Sequence, residues 1–247
     1  MSDLADLEIA LRTKRAYAEL ACSHTQCSRF EDSLGLVKGR DQILNRLMAL
    51  GGQDVSIHLD LGEMIALTVS TEERSWPGHR WVEREDGRII REVLIEDSGE
   101  TRIAPAEHAP LGELRAGQGQ FETAGSSAIL PPGFPDAARP LADWLQTAWN
   151  GRALNLFPAD WLPQLLSIAP DGNFYFERAL WEADRFAVLW RFFGHHASGH
   201  RIRLIGSSLF TRNSEGKFSC DETVMDRAAL EAQFDRPLLD YSTETLT

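Results

Sequence analysis

Two stretches of this chain, "GHRWVEREDGRIIREVLIED" from Gly78 and "GHRIRLIGSSLFTRNSEGKFSCDETVMD" from Gly199, present the same succession of elements. Each opens on Gly-His-Arg, runs through an alternating segment to a glycine followed by a base, and closes on an aspartate. Gly87 to Asp97 superposes without a gap on Gly216 to Asp226. That superposition sets Arg88 against Lys217, Ile89 against Phe218, Glu92 against Asp221, Ile95 against Val224, and Asp97 against Asp226. A repeated hairpin constrains the fold more than any other feature here, because each copy needs its own apolar face covered. From histidine to glycine the first copy spans 8 positions and the second 16. The second hairpin is predicted to be longer by about four residues on each strand, an even extension that keeps every side chain on its face. The second sheet is accordingly expected to be the deeper one.

The elements around the hairpins repeat as well. In the first half "LADLEIALRTKRAYAELA" and "GRDQILNRLMAL" have helical apolar spacing, and the alternating segments "VSIHLDLGEMIALTVS", "GHRWVERE" and "GRIIREVLIED" follow. In the second half "LADWLQTAWN" and "ADWLPQLLSI" read as helices, and "NFYFERAL", "RFAVLWRFF", "HRIRLIGSSLFTR" and "KFSCDETVMD" as strands. Between the halves, about Ala104 to Pro135 is rich in Gly, Pro, Ala and Ser and lacks periodicity. The expectation is two α+β domains in tandem, residues 1–100 and 136–247, joined by an arm over 101–135. A tandem chain can pair its copies within itself, at an effective concentration set by the arm. An internal pseudo-dimer is expected, with further homo-oligomerisation open.

Composition narrows the function. With 247 residues and 43% hydrophobic side chains the chain can bury real cores. Its formal net charge of -12, with no basic run, opposes nucleic acid and anionic lipid as partners. No apolar run is long enough to span a membrane, and the first residues lack the basic-then-apolar order of a secretory leader, so a cytoplasmic protein is expected. Cys22, Cys27 and Cys220 are too few and too scattered for a disulfide framework.

If "KFSCDETVMD" is a regular strand, Phe218, Cys220, Glu222, Val224 and Asp226 share its more apolar face. Glu222 would then be a desolvated carboxylate with a raised pKa, suited to proton transfer. The matching position in the first half is Val93, so the second half is expected to carry the chemistry and the first to be structural. Pairing of Glu222 with Arg201 or Arg203 is the bland alternative, and a β-bulge would exchange the faces and promote Asp221. In "GHHASGH" the adjacent histidines point to opposite faces and no acid or cysteine completes a metal set; His196 is read as a pocket hydrogen-bonding or proton-transfer group. Cys22, His24 and Cys27 lack a fourth ligand and are read as ordinary residues of a helix or loop. Gly206 to Ser208, "GSS", lies within an apolar strand and is no nucleophile elbow; its small side chains are expected to let the sheet bend and leave pocket volume.

From about Leu141 to Phe234 the chain resembles the SnoaL-like, polyketide cyclase-like branch of the nuclear transport factor 2 superfamily. The matching positions are Gly194 with His196, Gly199 with Arg201, Gly206 to Ser208, Gly216 with Lys217, Glu222 with Asp226, and Leu230 with Gln233. The stretch between Gly194 and Gly199 is shorter than in relatives. The first half resembles the same fold more faintly, through "GRDQILNRL" and "DGRIIRE". The resemblance implies cone-shaped α+β barrels, each a bent, mostly antiparallel sheet around helices with an apolar pocket, acting without metal or cofactor. Two function classes follow. One is a cofactor-independent acid–base enzyme, of cyclase, isomerase or dehydratase type, on a hydrophobic carbonyl-bearing small molecule in the second-domain pocket, with Glu222 or Asp226 as base and His196 as donor. The other is a non-catalytic module binding an apolar ligand or a partner protein. A pocket filled by side chains, or carboxylates locked to arginines, favours the module.

Overall fold

A computed structural model describes residues 22–32, 35–50, 53–70, 78–96, 136–157, 159, 161–226 and 230. The first expected helix, the arm and, apart from Leu230, everything after Asp226 lie outside them. The chain forms β1 (His24–Asp32), β2 (Gly35–Lys38), α1 (Arg40–Leu50), β3 (Asp54–Asp60), β4 (Met64–Ser70), β5 (Gly78–Glu85) and β6 (Arg88–Ile95). After a 3₁₀ turn at Asp136–Ala138 come α2 (Arg139–Leu145), which continues into a π turn at Gln146–Asn150, then α3 (Trp161–Ile168). The remaining strands are β7 (Asn173–Glu182), β8 (Arg185–His195), β9 (Arg201–Arg212) and β10 (Phe218–Met225). Pro140 sits in the first turn of α2, where its missing N–H costs nothing and its fixed φ favours the helix.

The strands make a six-stranded sheet, β2-β1-β6-β5-β4-β3, and a four-stranded sheet, β10-β9-β8-β7. Within the first, β3 to β6 are consecutive antiparallel neighbours, as are β7 to β10 in the second. Both meanders are bulged at corresponding places. The register shifts at His58 of β3 and at Glu177 of β7, and again at Ile90 of β6 and Asp221 of β10. A bulge inserts one unpaired residue and bends its strand, which is how each sheet curves over its helices.

Two expectations about this architecture are corrected. The longer second hairpin does not extend both strands: β9 has 12 residues against 8 for β5, whereas β10 and β6 both have 8. The remaining added length lies in the turn. The segment after Cys22, expected as helix or loop, is the strand β1, which pairs parallel to β6 and antiparallel to β2. Its partner is some sixty residues away: Ser28 donates its hydroxyl proton to the Ile89 carbonyl, and the Ile89 N–H donates to the Ser23 carbonyl at 2.9 Å. No local periodicity reveals such pairing.

Three apolar layers result. Ile43 and Leu47 of α1 pack on the inner face of the first sheet with Phe30, Ile65, Val82 and Leu94. Leu141 and Leu145 of α2 and Leu162 and Leu165 of α3 pack on the inner face of the second. Between the sheets, Leu59, Trp81, Val93 and Ile95 of the first form one buried cluster with Leu180, Leu189, Leu209 and Val224 of the second. The outer faces of the two sheets therefore cover each other.

Ser207 and Ser208 tie these layers together. Neighbouring strand residues point to opposite faces. Ser207 Oγ accepts the indole N–H of Trp81 across the sheet–sheet seam at 2.9 Å, while Ser208 Oγ accepts that of Trp190 on the inner face at 2.9 Å. Each bond satisfies a donor that would otherwise be buried at a cost of about 1–3 kcal/mol. Gly206 does not leave pocket volume as expected, because the ring of Trp190 occupies the space a β-carbon would need, approaching closer than 3.0 Å. Gly206→Ala should overpack this contact and lower the unfolding free energy by about 1–3 kcal/mol, measurable by urea denaturation followed through tryptophan fluorescence.

Candidate functional site

The inner face of the second sheet, where a pocket was expected, is occupied by interlocked aromatics. Trp149, Phe157, Phe174, Phe176, Trp190, Phe192 and Phe210 are all buried. Trp149 meets Phe157 and Trp190 edge-on, with ring centroids 5.4 and 5.8 Å away, and Trp161 stacks on Trp190 at 5.7 Å. Such pairs add about 0.5–1.5 kcal/mol each beyond the area they bury. The polar groups of β10 on this face are small: Thr223 Oγ1 lies 2.8 Å from Ser208 Oγ and 3.3 Å from Cys220 Sγ. Burial pushes the Cys220 thiol up to about 11, so it stays protonated.

The bulge at Asp221 decides where Glu222 points. Phe218 and Cys220 pack on the inner core, as does Met225, whereas Val224 joins the seam cluster. The expected shared face of Phe218, Cys220, Glu222 and Val224 is thus broken at Asp221, and Glu222 lies on the outer side. There its Oε2 is 3.2 Å from Nε2 of His79, a buried residue of the first sheet. This contact with His79 holds the Glu222 carboxyl below its ordinary range, against the opposing effect of partial burial. Asp221 makes a different contact, accepting from Thr211 Oγ1 at 3.1 Å on the exposed surface.

The other expected site residues lie elsewhere. Asp226 is buried just past β10, and its carbonyl accepts the N–H of Leu230 at 3.2 Å. His196 belongs to the turn between β8 and β9, with Nδ1 2.8 Å from Ser198 Oγ. Glu222 is flanked by Leu209 on β9, eight positions from Arg201 at the turn, which is ~26 Å at ~3.3 Å per residue. The structure does not bring His196 and Glu222 together. His195, next to it, instead pairs with Asp171 at 2.8 Å on the surface.

What the sequence reading missed is polar chemistry in the first half. Arg80, on the same side of β5 as the core residue Val82, is fully buried, as is Glu92, which stands opposite Val82 on β6. Glu92 Oε1 lies 2.8 Å from His24 Nε2 and Oε2 accepts from Arg80 Nη1 at 3.2 Å. The guanidinium donates a further bond, Nη2 to Gln53 Oε1, at 2.8 Å and lies over the Phe30 ring at 5.6 Å. For Arg80 the signal was present in "GHRWVERE", where alternation with Val82 assigns it to the apolar face. For Glu92, counted from Ile89, alternation points the other way, and the bulge at Ile90 moves it to that face.

A second group of charges bridges the seam. Glu177 of β7 accepts from Arg191 Nε at 2.5 Å and from Arg91 of the first sheet. Arg91 also pairs with Glu83 at 2.8 Å, Arg178 with Glu83 at 3.2 Å, and Arg191 with Glu31 at 3.4 Å. Although burial opposes its ionisation, Arg191 and Arg91 draw the Glu177 carboxyl down to about 2. Among the described residues no three His, Cys, Asp or Glu side chains are arranged to hold a metal ion, and no helix is long and apolar enough to cross a membrane.

His58, at the β3 bulge, adds a pH-sensitive element to the seam. Its Nδ1 lies 3.2 Å from Arg185 Nη2, and burial, then Arg185 and His79, push its pKa below the ordinary 6.5. A depressed folded pKa means that the folded state binds fewer protons than the unfolded one, so stability is lost as pH falls through that range. Unfolding free energy should therefore decline on acidification from pH 6.5, with a further decline below pH 4.5 from Glu177 and Glu222. In urea titrations across pH 4–8, His58→Gln should flatten the first slope and Glu222→Gln should reduce the second, leaving the part that Glu177 contributes.

No protein-family model and no curated protein matches the chain. Several solved structures do. A nuclear transport factor 2-like protein of unknown function from Cytophaga hutchinsonii is 13% identical, with 40% of this chain and 91% of that one covered at a TM-score of 0.35. A candidate polyketide cyclase from Sinorhizobium meliloti is 16% identical, covering 38% and 94% at 0.33. A protein with a ketosteroid isomerase-like fold from Catenulispora acidiphila, in complex with trimethylamine, is 13% identical, covering 38% and 85% at 0.32. These three solved structures are thus nuclear transport factor 2-like, polyketide cyclase-like and ketosteroid isomerase-like, each matching about two-fifths of this chain.

Proposed function

We propose that this chain is a non-catalytic binding module whose two halves act as one internal pseudo-dimer. The observation that carries this reading is the filled inner face of the second sheet, where Trp149, Trp190 and their neighbours occupy the space an enzyme of this shape would give to substrate. Three carboxylates that could serve as bases are engaged as well. Glu92 is shared by His24 and Arg80, Glu177 by Arg91 and Arg191, and Glu222 faces His79. A base held in an ion pair has its proton affinity lowered, the reverse of what proton abstraction near neutral pH requires.

The charges at the seam support the pseudo-dimer. The first half contributes Glu31, Glu83 and Arg91, the second Glu177, Arg178 and Arg191. The first face is therefore net negative and the second net positive. Each face is complementary to the other and repels a copy of itself, a charge pattern that selects partner and register. In this reading the ligand is a small apolar molecule taken up by the first half, and the second half holds that half in shape.

Scanning calorimetry should give a single cooperative transition for both halves. Arg191→Glu, which sets a third carboxylate beside Glu31 and Glu177, should cost about 3–5 kcal/mol; two independent transitions in the unmodified chain would contradict the pseudo-dimer. The non-catalytic assignment is tested by incubating the protein with apolar ketones and carboxylic acids and analysing the mixture by mass spectrometry. The compounds should return unchanged. Protein-dependent product that disappears in Glu222→Gln or Glu92→Gln would restore the acid–base enzyme.

A further inference from the structure

We infer that the inner face of the first sheet binds the oxygen end of an amphipathic carboxylic acid through Arg80 Nε and Gln53 Nε2. The inference rests on the binding-module reading and adds to it the location of the site and the class of ligand.

Two buried donors carry it. Arg80 is fully buried and Gln53 nearly so, yet Arg80 Nε and Gln53 Nε2 have no hydrogen-bond partner. The orientation of the Gln53 amide follows from its neighbour. A guanidinium only donates, so the oxygen of Gln53 must face Arg80 Nη2, and the NH₂ group is turned elsewhere. A buried donor left unmade costs about 1–3 kcal/mol, and native structures keep few of them. Two on adjoining side chains, which already share one hydrogen bond, call for an acceptor common to both. A carboxylate fits: it accepts without donating and can bridge the edge of a guanidinium and a neighbouring amide. A ketone oxygen would accept as well, but with less charge to compensate Arg80, whose acid partner Glu92 is already shared with His24.

The surroundings specify the rest of the ligand. The same face presents Phe30, Leu67, Val82 and Leu94, with Ile43 and Leu47 of α1 over it. Small-molecule sites combine a mainly apolar lining with a few convergent polar groups. A medium-length alkyl or aromatic acid meets both parts, its hydrocarbon against the aliphatic residues and its carboxylate against Arg80 and Gln53. Among the described residues the aromatic interior of the second half has a single open donor, the indole N–H of Trp149, with no second one to share an acceptor; that of Trp190 is bonded to Ser208.

The test uses the full chain and decanoate, with decan-1-ol as the uncharged control of equal chain length. Binding is followed by isothermal titration calorimetry and by tryptophan fluorescence. Decanoate should bind at least tenfold more tightly than decan-1-ol. Gln53→Leu, which removes one donor without adding charge, should weaken decanoate tenfold or more and leave the alcohol little changed. Arg80→Lys should do the same, since an ammonium lacks the guanidinium edge; should that variant fail to fold, Gln53→Leu alone decides. Equal affinity for acid and alcohol, undiminished decanoate binding in Gln53→Leu, or no binding of either compound would each overturn the inference. In the last case the two donors are met by buried water. Decanoate that binds at this site but is chemically altered would leave the inference standing and overturn the non-catalytic reading. Decanoate that binds unchanged and ignores Gln53→Leu would do the opposite.

Discussion

Everything else in this structure depends on the seam where the outer faces of the two sheets meet. A bent sheet with helices on one side leaves its other face to be covered, and here each sheet covers the other. The centre of the contact is apolar, around Trp81, Val93, Leu189 and Leu209, and the charged side chains lie on the same faces beside it. Apolar burial supplies the driving force, at about 25 cal/mol per Å². Buried ion pairs add less to stability, because desolvation offsets their attraction, but they penalise any wrong pairing heavily. The bond from Trp81 to Ser207 pins one register, since sliding by a residue would leave an indole N–H buried and unmet.

The bulges link this seam to the chemistry. A one-residue insertion sends every later side chain of a strand to the opposite face. At Asp221 it turns Glu222 out of the second interior and toward His79; at Ile90 it turns Glu92 into the first interior, beside Arg80 and His24. The two halves thus exchange the roles that strict alternation gives them. The half expected to be structural carries the buried polar constellation, and the half expected to be functional is an aromatic block.

Much of the fold was legible in the chain. Repeated order, alternation and the Gly-His-Arg onsets located β3 to β10 and the helices α1 to α3, because each of those signals is local. Strand β1 was not legible, since its pairing with β6 is distant in sequence and its polar residues mask the alternation. Of the expected site, residue types were readable but their faces were not. Glu222 was singled out for its apolar neighbours Phe218 and Cys220, which lie before the bulge and therefore on the other side of the strand. Gly206 was read as making room, and it does, for Trp190 rather than for a ligand.

The amino-acid sequence by itself determined the element types, their doubled order and the presence of arginine and glutamate in strands otherwise built from Val, Ile and Leu. Propensity and periodicity act over a few residues, so they survive without a tertiary context. Which face each side chain occupies was settled only by the tertiary structure, because a bulge forms where a strand must bend over its helices and against a second sheet. That same context joins Arg80 to Gln53, 27 positions away, by one hydrogen bond and leaves Arg80 Nε and Gln53 Nε2 without partners. No local rule brings such donors together; the curvature of the first sheet does.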